Sequence, residues 1–93
     1  MNKYESMYIL KPNLDEETRT ALIERFKAIV TDGGGTIVNV DEWGNRKLAY
    51  EINYISEGYY VLMTFEAPGE LPLELERIYN ITENVMRFNV IRL

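Results

Sequence analysis

Two adjacent cations, Arg46 and Lys47, have side chains suited to binding an anion. They lie within EWGNRKLAYEI, residues 42–52, just after a Trp-Gly pair. The arginine guanidinium offers a planar fork of N–H donors and the lysine ammonium a mobile point charge, and both suit a phosphate group. Neighbouring residues of a strand should point to opposite faces or lie across a bulge. The alternative is that both are solvated charges that protect an edge strand from aggregation.

Catalysis would need a general base, a nucleophile or a phosphate-binding loop. The chain contains no histidine and no cysteine. Asp41, Glu42 and Glu51 are candidate paired carboxylates, but no nucleophile accompanies them. The glycines 33–35 do not form a P-loop, since no Gly-Lys-Ser/Thr follows them. We therefore predict no enzyme, no metal site, no cofactor and no small-molecule substrate.

The formal net charge of -5 argues against loose, charge-driven binding to nucleic acid. The distribution of charge matters more than the total. Many acids fall on two predicted helices: Asp15, Glu16, Glu17, Glu24, Asp32, Glu70, Glu74 and Glu76. Half of the cations fall on predicted strands: Lys3, Arg46, Lys47, Arg87 and Arg92. The sequence thus predicts an acidic helical side and a basic sheet side.

The elements that position these residues follow the order β, α, β, β, α, β. Alternation predicts strands at 3–10, 36–52, 58–67 and 84–93, with a bulge at Gly44 in the second. Helical spacing predicts one helix that starts at Asn13 or Asp15 and stops at the glycine triplet, and a second at 70–80. This order is typical of an α+β, ferredoxin-like fold: a four-stranded antiparallel sheet with both helices on one face. The 93 residues form one domain, and an N-terminus without a signal peptide or membrane span predicts a cytoplasmic protein.

Only one face of such a sheet is covered. Six side chains are predicted on the other: Met7, Ile9, Tyr60, Leu62, Arg87 and Ile91. A contiguous apolar patch of this kind usually marks a partner. A strand register shifted by one residue would instead send these side chains into the core. Trp43 has two interpretations as well, a packing anchor at the core margin or a base-stacking platform.

Four ordered motifs occur along the chain: YESMYIL-KPNLDEE, W-G-x-R-K-L-A-Y at 43–50, E-G-Y-Y at 57–60 and V-M-R-F at 85–88. Together they resemble the bacterial small-subunit ribosomal protein six family over essentially all 93 residues. The family often has a proline after L-A-Y, where this chain has Glu51. The resemblance implies a ferredoxin-like, cytoplasmic protein of the ribosome without catalytic activity. Its implied role is to bind the central domain of small-subunit ribosomal RNA as a heterodimer with small-subunit ribosomal protein eighteen.

The resemblance also implies roles for particular residues. Arg46, Lys47 and Arg87 match basic positions of the family and are the first candidates for RNA contact. Lys3 and Arg92 are further candidates. Four residues match positions at or near the partner surface: Trp43, Leu48, Tyr50 and Tyr60. Of these, Leu48 and Tyr50 could equally belong to the core.

Two other functions fit the same element order. A freestanding single-strand RNA binder of the RRM type carries a basic-Gly-aromatic pattern on its third strand. Here Glu57 stands where that pattern has a cation and Val61 where it has a stacking ring. The second alternative is a ferredoxin-like regulatory domain that dimerises through its open face.

Overall fold

A four-stranded antiparallel sheet carries two helices on one of its faces. The computed structural model describes residues 1–52 and 54–93. Its elements are β1 (Asn2–Leu10), α1 (Glu16–Asp32), β2 (Thr36–Ile52), β3 (Ile55–Ala67), α2 (Leu71–Ile81) and β4 (Val85–Arg92). The strand order is β2-β3-β1-β4, and every neighbouring pair is antiparallel. The predicted ferredoxin-like architecture is confirmed.

The core lies between the sheet and the two helices. Alternation along β1 and β3 buries every second side chain on the helix-covered face. From the strands the core receives Tyr4, Tyr8, Leu10, Val61, Met63, Phe65 and Ala67. The helices contribute Ile23, Phe26, Val30, Leu71, Leu75, Ile78 and Tyr79. The open face of the sheet, opposite these helices, is left to interact with solvent or a partner.

Both ends of α1 follow from local chemistry. Asp15 is the N-cap, and its carboxylate accepts a hydrogen bond from the Thr18 backbone N–H at 2.8 Å. That hydrogen bond holds the pKa of Asp15 below its usual value, because it favours the charged form. At the other end Gly33 is the C-cap, and Gly34 follows with a φ of 88°. The predicted stop at the glycine triplet is confirmed.

The structure differs from the sequence pattern at two places. β3 begins at Ile55 instead of Gly58, so the β2–β3 hairpin is longer than predicted. Asn53, within the predicted loop of this hairpin, lies outside the described residues. In β4, strict alternation along 84–93 would place Met86 on the core-facing side with Phe88. A bulge pairs Leu10 with Val85 directly after the Ile9–Arg87 pair, so Val85 packs against the core instead.

Candidate nucleic-acid and protein interface

A β-bulge decides which of the two adjacent cations reaches the open face. Glu42 pairs with Val61 and Gly44 with Tyr60, so Trp43 is an extra residue on β2. Gly44 has a φ of 83°, in the left-handed region that favours glycine. One extra residue exchanges the faces of all residues after it. Arg46, opposite Gly58, therefore shares the open face with Tyr60, while Lys47 pairs with Glu57 and points to the other side.

Three side chains beside the bulge form a stack on the open face. The Trp43 and Tyr60 rings are nearly parallel, at 9°, with centroids 6.3 Å apart. The Arg46 guanidinium lies 5.7 Å from the centre of the Trp43 ring, and its Nε donates to the Trp43 carbonyl oxygen at 3.4 Å. The Trp43 indole N–H donates to the Asp41 carboxylate at 3.0 Å. Trp43 thus holds Arg46 close to the sheet instead of leaving it free in solvent.

A second irregularity brings the end of the hairpin over the open face. From the pair Lys47–Glu57 to the pair Ile52–Ile55, β2 advances by five residues (52 − 47) but β3 by only two (57 − 55). β2 therefore has three more residues than β3 in this part of the hairpin. The segment 48–51 therefore bulges away from β3. Leu48, Ala49 and Tyr50, which would alternate in a regular strand, all line the same concavity. The Leu48 side chain is packed there with only 8% of its surface exposed.

This concavity is a pocket of about 430 Å³ on the open face. Its lining is mainly apolar, with Met7 and Ile9 from β1, Tyr60 from β3, and Leu48 and Ile52 from β2. From β4, Arg87 closes one side, with its guanidinium 5.2 Å from the centre of the Tyr50 ring. Tyr50 keeps 59% of its surface exposed, so a ligand can reach it directly. The predicted apolar patch is present, and its register is the one expected.

Six of the nine predicted site residues come together around the pocket and the neighbouring stack: Arg46, Trp43, Tyr60, Leu48, Tyr50 and Arg87. The other three lie elsewhere. Lys3 is on the open face but six residues along β1 from Ile9, about 20 Å away. Lys47 points to the opposite face, and Arg92 donates to the Asn2 side chain at the far end of the sheet.

The open face is close to electrically neutral, not basic as expected. Its paired rows carry three cations, Lys3, Arg46 and Arg87, and three acids, Glu5, Asp41 and Glu66. The five cations of the strands are divided between the two faces, which is why the predicted basic side does not form. Within residues 1–52 and 54–93, neither Arg46 nor Arg87 forms an ion pair. Their charges are therefore available to a ligand.

Asp41 and Ile52 are among the residues of this surface that the sequence interpretation missed. Asp41, considered only as a catalytic carboxylate, orients the Trp43 indole. Ile52, at the end of β2, lines the pocket. An acid two residues before a tryptophan is a sequence signal that could have identified Asp41. No signal in the sequence places Ile52, because the bulge at 48–51 has no glycine or proline to mark it.

Comparison with known proteins gives consistent matches over the whole chain. The family model described as Ribosomal protein S6 matches residues 3–92. Small ribosomal subunit protein bS6 of Clostridium novyi is 56% identical over 91 residues, which cover 98% of this chain and 96% of that protein. The protein of the same name from Caldanaerobacter subterraneus is 55% identical over 92 residues. The crystal structure of 30S ribosomal protein S6 from Thermotoga maritima superposes with a TM-score of 0.93 at 40% identity, covering 99% of this chain and 87% of that one.

Proposed function

Because the chain belongs to the ribosomal protein S6 family and is thus a protein of the small ribosomal subunit, we propose that it binds the central domain of small-subunit ribosomal RNA together with small-subunit ribosomal protein eighteen. It acts there as a structural component, not as an enzyme. Its place is the ribosome, in the cytoplasm.

This proposal rests on one observation: an apolar pocket lies on the same surface as two arginines that form no ion pair with the residues the structure describes. The pocket, with the exposed Tyr50 at its side, suits a protein partner, since partly exposed aromatic residues beside a concavity are frequent anchors of protein interfaces. Arg46, held on the Trp43–Tyr60 stack, suits a phosphate group next to that partner. Arg87 lies at the pocket itself and is the second candidate for a phosphate contact.

A net charge of -5 is compatible with RNA binding if the protein partner contributes cations and this chain adds only a few, held in fixed positions. We assign the phosphate contacts of this chain to Arg46 and Arg87. Lys3 lies about 20 Å from Ile9 along β1, Lys47 points to the other face and Arg92 lies at the far end of the sheet, so we do not assign these three to the same phosphate contacts. The adjacent cations of the sequence then have separate roles, because only the arginine faces the partner surface.

The adjacent pair supplies both the test and its control. Arg46→Ala should weaken assembly with the partner protein onto central-domain RNA. It should also reduce the slope of log affinity against log salt concentration by about 1, the loss of one phosphate contact. Lys47→Ala removes the same charge one residue away and should leave the slope unchanged. The measurement is a filter-binding or mobility-shift titration at four salt concentrations.

Equal effects of the two variants would mean that net charge, not the open face, determines binding. An unchanged slope in both variants would remove Arg46 from the RNA contacts.

A further inference from the structure

A hydrogen-bonded cluster on the helix-covered side of the sheet lies directly behind the Trp43 bulge. The Tyr59 hydroxyl donates to the Glu42 carboxylate at 2.7 Å. The Arg19 guanidinium of α1 lies 4.3 Å from the centre of the Tyr59 ring. The cluster thus links α1, β2 and β3 through three side chains. None of the three lines the pocket or takes part in the Arg46–Trp43–Tyr60 stack.

Glu42 is the last paired residue before the extra residue of β2. It sits opposite Val61, and pairing resumes at Gly44 opposite Tyr60. A bulge leaves its extra residue unpaired and disrupts the ladder locally, so side-chain contacts on both faces can contribute to fixing its position. On the open face those contacts are the Trp43 N–H to Asp41 and the Arg46 Nε to the Trp43 carbonyl. On the helix-covered side the corresponding contact is the Tyr59–Glu42 hydrogen bond.

We propose that Tyr59 and Arg19 are positioning residues: they act through Glu42 to fix the Trp43 bulge, and so keep Trp43 and Arg46 in place on the opposite face. The mechanism is geometric. Arg19 holds the Tyr59 ring against α1, the ring directs its hydroxyl to Glu42, and the anchored Glu42 sets the point at which β2 gains a residue. The contribution to RNA binding rests on the proposed function, whereas the positioning of Trp43 belongs to the free protein.

Tyr59 remains a hydrogen-bond donor throughout the neutral pH range. Burial raises the pKa of Tyr59, and the hydrogen bond to the Glu42 carboxylate raises it further. Both effects favour the protonated hydroxyl, whose hydrogen the carboxylate accepts. The Tyr59 hydroxyl therefore remains the donor in this hydrogen bond near neutral pH.

The chain contains a single tryptophan, so its fluorescence reports on the bulge alone. Tyr59→Phe removes the hydroxyl and keeps the ring that Arg19 covers. We expect this variant to increase acrylamide quenching of Trp43 and to reduce the long-wavelength tryptophan bands of the near-ultraviolet circular dichroism, where tyrosine does not contribute. Glu42→Ala should give the same change, and the double variant no more than either single one, since both remove one hydrogen bond. Glu42→Gln retains an acceptor oxygen and should restore most of the signal.

The control is Glu57→Gln, which removes an acid on the same side of the hairpin, beyond the bulge. It should leave the Trp43 signals unchanged. If Tyr59→Phe also leaves them unchanged, the positioning role is wrong, whatever happens to RNA binding. The role is equally wrong if Tyr59→Phe and Glu42→Ala have additive effects.

RNA binding forms a separate arm of the experiment. Tyr59→Phe should lower the salt slope of assembly toward that of Arg46→Ala, a loss of at most about 1. Suppose that Tyr59→Phe changes the Trp43 signals in the free protein, while the salt slopes of Tyr59→Phe and Arg46→Ala both match that of the wild type. The positioning role then stands, and the proposed RNA contact of Arg46 fails.

Discussion

Ser6 is a polar residue at the centre of an apolar core. It is fully buried under the helices, and its hydroxyl lies 2.6 Å from that of Tyr79 on α2. Burial raises the pKa of Tyr79, and the Ser6 hydrogen bond opposes part of that rise. The Tyr8 hydroxyl is also buried, yet it has no hydrogen-bond partner among the residues the structure describes. The two core tyrosines thus differ, since the Tyr79 hydroxyl has a hydrogen-bond partner among the described residues and the Tyr8 hydroxyl has none.

Removing these hydroxyls should have unequal consequences. Tyr79→Phe leaves the buried Ser6 hydroxyl without its partner, which should lower the free energy of unfolding by about 1–3 kcal/mol. Tyr8→Phe, the matched control, removes a hydroxyl that makes no bond and should be neutral or stabilising. The double variant Ser6→Ala/Tyr79→Phe should lose less than the sum of its single changes. Chemical denaturation measures all four. Equal losses from the two tyrosines would contradict the assigned hydrogen bond.

At the scale of the element, bulges determine which side chains of β2 lie on the open face. Counted from Asp41, which pairs with Leu62 on the open face, an uninterrupted strand would turn Lys47 to the open face and Arg46 away from it. The residue added at Trp43 reverses this, and Gly44 accommodates the addition with a φ of 83°. The space around Gly44 is open, so the backbone conformation, not packing, requires glycine there.

Gly44→Ala tests this requirement. The left-handed conformation costs a residue with a Cβ atom about 1–2 kcal/mol, so the free energy of unfolding should fall by that amount. Gly69→Ala is the control, since Gly69 also has open space around it but no positive φ. It should be neutral or slightly stabilising. A loss in Gly69→Ala equal to that in Gly44→Ala would show that the φ of Gly44 is not the cause.

The cap of α1 predicts part of the response to acid. The pKa of Asp15 is lower in the folded chain than its ordinary 3.8, because of the hydrogen bond from Thr18. The unfolded chain therefore binds a proton more readily, and the cap's contribution to stability is complete above pH 3.8 and lost as the pH falls through the lower, folded value. Asp15→Asn keeps an acceptor that does not titrate. Between pH 5 and about 2, its thermal midpoint should fall less steeply than that of the wild type. Parallel curves would contradict the cap's role.

How much of the fold the sequence predicts depends on whether the pattern is regular. Alternation in β1 and β3 places their side chains correctly because the pattern has a period of two throughout. The same reasoning fails at Met86 and at the segment 48–51, since an added residue shifts the period without altering composition. The contact between Tyr50 and Arg87 depends on such a shift, so the pattern alone gives no reason to place Tyr50 over β4. The resemblance to a family identified Tyr50 and Arg87 as candidates, but only the structure shows that the two side chains are in contact.

At the scale of the whole molecule, the two sides differ in charge and exposure. The two helices and their N-cap residues carry eight acids against four cations, Arg19, Arg25, Lys27 and Arg77. The open face is nearly neutral and holds the pocket. Under the proposed function, a phosphate backbone would be repelled by the first side and tolerated by the second, so charge would orient the molecule while the pocket would supply the attachment.

The affinity of this chain for small-subunit ribosomal protein eighteen tests most directly whether the open face is the docking surface. Tyr50, on the open face, and Leu73, on α2, are large exposed side chains, at 59% and 72%. Tyr50→Ala should weaken the heterodimer by about tenfold or more, as the loss of an aromatic anchor does. Leu73→Ala should leave it unchanged. Weakening by Leu73→Ala with normal binding by Tyr50→Ala would place the partner on the helices and contradict the account.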